Sequence, residues 1–163
     1  MPLTPIPEST RFFQPEISKV YFLPTVADPE NVTRAEINAG HDITDEIAAI
    51  SGFLATSNYI DTPDLKRRFV ARIGGRITVA DSSLTFYGSQ DGEDVRTIMQ
   101  RLDRGVLVFM DGGDVPAQPM DVFRVEVNSI GKQRSVDENA FQLLVGFGIL
   151  QPPAEDVPIP AAA

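Results

Sequence analysis

The chain contains no cysteine and no tryptophan, and it has one histidine, His41. Without thiols it can form no disulfide, thiolate zinc centre, iron–sulfur cluster or cysteine nucleophile. A single histidine leaves little material for a histidine-based metal site or a catalytic dyad. No apolar run nears the roughly 20 residues that cross a bilayer as a helix. Residues 1–10 lack the basic flank and apolar core of a secretion signal, so none is expected there. Positive charge is scarce: 14 Lys and Arg face 23 Asp and Glu, a net of −9 over 163 residues. Holding DNA or an anionic membrane requires a cationic surface, so neither is expected as a bound partner. DNA can still pass beside an acidic wall without being gripped.

The composition is otherwise that of an ordinary globular protein. Hydrophobic residues make up 42% and charged residues 23%. The length suits one domain with a sizeable core. The ends differ from the middle. Residues 1–17 hold four prolines around Arg11, Phe12 and Phe13, and residues 150–163 hold four more before three alanines. Proline blocks helix interiors and sheet ladders, so both ends are expected as extended arms flanking a domain over 18–149. The last ten residues are expected to fray. Two adjacent phenylalanines in an arm call for a docking surface.

Between the arms the pattern is mostly strand. Val20 and Phe22 alternate with Lys19 and Tyr21. Alternation also marks 34–38, 46–53, 68–73, 83–87, 123–128 and 141–149. Side chains at period two go alternately to a core and outward. The unbroken apolar run 106–110 fits a strand covered on both faces. Turn signals fall at 39–40, 61–64, 74–75, 111–114 and 131–132. One segment has a different period: Val95, Ile98, Met99 and Leu102 predict an amphipathic helix over 91–102, with Asp91 as its cap and Gly105 as its stop. The expected fold is mainly β, an antiparallel sandwich or open barrel with one packed α-helix.

Chemical motifs are missing from the pattern. The Gly131–Lys132 pair lacks the upstream glycine and the following Ser or Thr of a phosphate loop. The acidic turns 91–94 and 111–114 lack the ligand spacing of a calcium loop. No serine sits in a nucleophile elbow. No catalytic, metal-binding or cofactor-binding residue is nominated.

The order of these segments resembles the major tail tube proteins of long-tailed bacteriophages, in the form found in phages of actinobacteria. The resemblance runs over residues 12–149. It lies in the 43–53 strand, the Thr62-Pro-Asp-Leu65 turn, segments 68–75 and 81–87, the single helix, and the closing strands 120–128 and 140–149. It implies a structural protein of the virion tail, assembled in the host cytoplasm, with no enzymatic activity and no cofactor. It implies rings, generally of six copies, stacked into a hollow tube whose inner barrel is shared between subunits and through which the genome passes. Tape measure, tail terminator and distal tail proteins are the implied partners. On that reading Glu36, Glu46 and Glu126, at polar positions of three candidate strands, are expected to be acids of the lumen. Arg34 and Arg124 are placed on the same faces. Arg11, Phe12 and Phe13, together with Tyr59, Asp61 and Asp64 in the 58–65 segment, are expected at ring-to-ring contacts. The tube of a contractile injection device, a β-sandwich binding module of a baseplate and a small β-barrel enzyme remain as alternatives.

Overall fold

The alternating segments form ten strands, described over residues 2–162 in a computed structural model. They are β1 (Lys19–Leu23), β2 (His41–Asp42), β3 (Ile47–Ser51), β4 (Ala55–Thr62), β5 (Ala71–Val79), β6 (Ser82–Tyr87), β7 (Arg104–Met110), β8 (Pro119–Gln133), β9 (Gln142–Ile149) and β10 (Ala154–Pro158). Every pairing is antiparallel. The main sheet runs β2-β1-β7-β8-β9-β6-β3, with β10 beside β8, while β4 and β5 form a separate two-stranded sheet. The outer strands β2 and β3 are joined only through residues 43–46. Such a short link between opposite borders requires the sheet to curl back on itself, giving an open barrel. Thr44 helps span the gap, its Oγ1 accepting a 3.0 Å bond from the Val20 amide.

Period two explains the two cores. Val20, Phe22, Leu107, Phe109, Phe123, Val125, Leu143 and Val145 point into the barrel. The alternate residues Leu23, Val106, Val108, Met110, Met120 and Val122 point the other way and form a second cluster with Val26, Val32 and Ile37. The central strand β7 is therefore buried on both faces, as its unbroken apolar run predicts. Gly105 lies within that strand, after Arg104, rather than stopping a helix. A Cβ there would come within 2.4 Å of the Phe22 ring.

Three segments depart from the sequence pattern. Residues 34–38 are a helix, Arg34–Asn38, and not a strand. Thr33 and Glu36 form a reciprocal capping box that fixes its first turn. Residues 43–53 are a 3-10 turn, Thr44–Glu46, followed by the shorter β3. The expected 91–102 helix is a single 3-10 turn, Val95–Thr97. Val95 and Met99 are still buried against the barrel, but Leu102 is exposed with a positive φ of 70°. The cap is Asp94, not Asp91. The Asp94 side chain binds the amides of Ser89 and Arg96 and pairs with the Arg96 guanidinium at 2.7 Å. A carboxylate so fully engaged with local groups competes with helix propagation.

Two glycine-containing pairs expected as turns lie inside strands. Gly74 and Gly75 fall beside a bulge between β4 and β5, and Gly131 and Lys132 extend β8 past a bulge at Asn128. A β-bulge inserts a residue and bends its strand without ending it. The C-terminal segment also does not fray. β10 runs along β8, and Val157 and Ile159 close the second core. Prolines bracket this short strand but leave its buried side chains in place.

Two outcomes follow from these placements. Ile159→Ala should cost about 2–4 kcal/mol, as buried isoleucines typically do; an unchanged melting temperature would show the segment to be dispensable. The Arg96 hydrogen bond holds the Asp94 carboxyl down at about 2, against 3.8 unperturbed. The folded value lies below the unfolded one, so the stabilisation, on the order of 2 kcal/mol, is complete above about pH 4 and is lost as pH falls toward 2. Asp94→Asn should melt earlier than the parent at pH 7, and the gap should narrow in a pH series down to 2.

Candidate functional site

The β4–β5 hairpin has no second layer. Nearly all of its residues are exposed on both faces, including Ile60, Ile73 and Ile77, and Tyr59 is 72% exposed. Among the described residues, neither strand pairs with anything but the other. Neither contains proline or lysine, two devices that commonly blunt a free edge. An isolated two-stranded hairpin is marginal in water.

Its base is nevertheless fixed. Gly52 and Phe53 both take positive φ, 84° and 57°, and turn the chain sharply out of β3. A side chain at Gly52 would collide with the Asp81 carbonyl. Phe53 turns its ring into the barrel, 4.9 Å from Phe109, 5.5 Å from Phe123 and 6.1 Å from Phe147. Its amide donates to Ser82 Oγ at 2.9 Å, and Ala80 N–H closes the return strand on the Leu54 carbonyl. The hairpin is thus rooted in the core and unsupported beyond its root.

Charge is unevenly divided. Residues 55–79 hold five of the 14 basic residues and two of the 23 acidic ones, so this segment is net +3 and the rest of the chain is −12. Lys66, Arg67 and Arg68 cluster in the connecting loop 63–70 beside exposed Leu65 and Phe69. Asp64 accepts from the amides of Lys66 and Arg67, which shapes the loop.

On the body, the open side of the barrel leaves a cleft of about 560 Å³ between β1 and β3. Val20, Ile47, Ile50 and Phe109 supply its apolar lining. Among the described residues, no strand lies beside the outward edge of β3. The turn Gln14–Ile17 forms one wall, with Glu16 at a positive φ of 89°. Before this turn the chain is extended, and Phe12 and Phe13 are 49% and 65% exposed.

The residues nominated from the sequence fall in different places. Arg11, Phe12 and Phe13 lie together on the exposed arm. Tyr59 and Asp61 lie on β4 and Asp64 in the adjoining loop, with Asp61 paired to Arg72 across the hairpin at 2.7 Å. The three acids do not share a barrel face. Glu36 sits in the short helix, and its carboxylate accepts from the amides of Ala27 and Thr33 at 2.8 Å each. The Ala27 bond leads those that hold its pKa below the usual carboxylate value. Glu46 ends the 3-10 turn and is exposed. Glu126 alone is on a strand, β8, where it meets Arg104 at 2.8 Å. Arg124 and Glu126, two residues apart on β8 with unbroken pairing to β7, do share one strand face, whereas Arg34 lies with Glu36 in the short helix and on no sheet. Arg34 pairs with Asp114 and donates to the Pro160 carbonyl, while Arg124 donates to the Val26 carbonyl. Both arginines fasten loops. The hairpin strand β4 was missed from the sequence because its run Ala-Thr-Ser-Asn-Tyr-Ile-Asp-Thr buries neither face and so carries little alternation.

Among the described residues, no cluster of His, Asp and Glu could hold a metal, and no helix is long and apolar enough to cross a membrane. No curated protein matches the chain. A chain in the cryo-EM structure of the anti-feeding prophage (AFP) baseplate, six-fold symmetrised, is similar in fold, with a TM-score of 0.58 at 11% identity. The similarity covers 93% of this chain and 97% of that one. The profile of the family described as phage tail tube protein matches residues 7–162, and with its exposed hairpin and curled antiparallel sheet the chain belongs to that family.

Proposed function

We propose that the protein works by closing rings of identical copies, which stack into the tail tube, and that the β4–β5 hairpin is completed by neighbouring subunits. The observation that carries this is the hairpin itself: a rooted pair of strands with both faces and both outer edges open. Pairing such edges between copies in a closed ring removes them from solvent. A ring of six, a lumen for the passing genome, and contacts with tape measure, terminator and distal tail proteins complete the reading. The protein's place is the virion tail, with assembly in the host cytoplasm. Its work is structural rather than catalytic.

The exposed arm with Arg11, Phe12 and Phe13 is assigned to contacts between rings, because large aromatic side chains anchor interfaces at low entropic cost. Of the three acids, Glu126 is retained as the lumen candidate, since it is the one on a sheet. The tube of a contractile device is the second reading, supported by the fold likeness to the AFP baseplate chain.

Negative-stain microscopy of the concentrated protein should show rings or tubes; a monomer under every condition, including seeding, would refute the reading. Replacing residues 55–79 by a short Gly-Ser link should leave a folded monomer that forms no rings. Deleting residues 2–13 should preserve the melting temperature but shift the population from tubes toward single rings, and a truncated chain that polymerises like the parent would remove the arm from the interface.

A further inference from the structure

We propose that the basic loop 63–70 of one copy seats in the cleft between β1 and β3 of a second copy. This inference rests on the ring-forming reading and names the two surfaces that meet.

The cleft has an apolar floor and an acidic rim. Glu16, Asp45 and Asp111 line it against one cation, Lys19. Among the described residues, none of these three acids makes an ion pair within the chain. Burial, and then the nearby Asp121, raise the pKa of Asp111 above the ordinary carboxylate value, so an incoming cation would relieve it.

The loop is the complementary object. It presents Lys66, Arg67 and Arg68 with Leu65 and Phe69, all exposed, and none of its three cations is paired among the described residues. Its own cleft is therefore not its seat. The Asp64 hydrogen bonds pre-shape it, which lowers the entropy lost on docking. The rival occupant is the N-terminal arm. Residues 2–13 carry one base, Arg11, and one acid, Glu8, and so offer the acidic rim no net charge. The free edge of β3 adds unpaired backbone groups to the receiving surface.

A charge exchange tests this. Lys66→Glu with Arg67→Glu and Arg68→Glu should raise the concentration needed for assembly at least about tenfold. Asp45→Lys with Asp111→Lys should do the same. A one-to-one mixture of the two variants should assemble as alternating copies, because each loop then meets a cleft of opposite sign. Failure of the mixture, with both variants folded by circular dichroism, overturns the pairing. A crosslink gives a second readout, because the chain has no cysteine of its own. Phe69→Cys with Ala48→Cys should form disulfide-linked oligomers on oxidation within tubes. Linkage through Phe12→Cys with Ala48→Cys instead would put the arm in the cleft and overturn the proposal. A parent chain that never assembles refutes the tube reading; a parent that assembles alongside fully competent loop and cleft variants refutes this inference alone.

Discussion

A backbone amide or carbonyl facing water loses nothing, but a strand edge facing water invites any other strand to pair with it. That constraint governs the β4–β5 hairpin. Its two strands satisfy each other along one side and leave the remaining sides open, with isoleucines and a tyrosine on its surfaces. The body of the protein keeps open borders of its own at β2 and β3 but is otherwise well packed. Its barrel is packed on the inside, its outer sheet is covered by the Arg34–Asn38 helix and β10, and its loops are tied down by Arg34 and Arg124. A packed body carrying a hairpin with open faces and edges is what the proposed ring closure would complete.

The distribution of charge gives that closure a direction. A uniformly acidic protein repels its own copies. Here the repulsion is broken at one place, where the hairpin is net +3 on a body of −12. A contact between unlike patches of identical chains is heterologous, and such contacts propagate into rings or filaments instead of stopping at a dimer. The remaining negative charge keeps unassembled copies soluble.

Much of the fold was legible where burial writes alternation into the sequence. The barrel strands β1, β6, β8 and β9 announced themselves in this way, and β7 did so by its unbroken apolar run. Five residues were too few to separate a period of 2 from one of 3.6 at Arg34–Asn38, although the capping pair Thr33 and Glu36 was a usable signal. The 91–102 segment has helical spacing, yet Asp94 gathers local amides and Arg96 and stops the turn from propagating. Val157 and Ile159 are only two apolar residues among prolines, so the tail's place in the core depends on a distant strand that no local pattern reveals. Of the surfaces proposed for assembly, the sequence offered Phe12 and Phe13 as adjacent aromatics in an arm and Tyr59 within the 58–65 segment, while the cleft between β1 and β3 exists only through the curl of the sheet.

The root of the hairpin has a mechanical meaning. Any load on a tube built from such copies acts on the joints between them. Phe53 is wedged among Phe109, Phe123 and Phe147 at the point where the hairpin leaves the barrel. Close-packed interiors transmit strain because they compress little. A pull on the hairpin tip therefore loads the aromatic centre of the subunit as a whole, and the border strand β3 is not peeled away one hydrogen bond at a time.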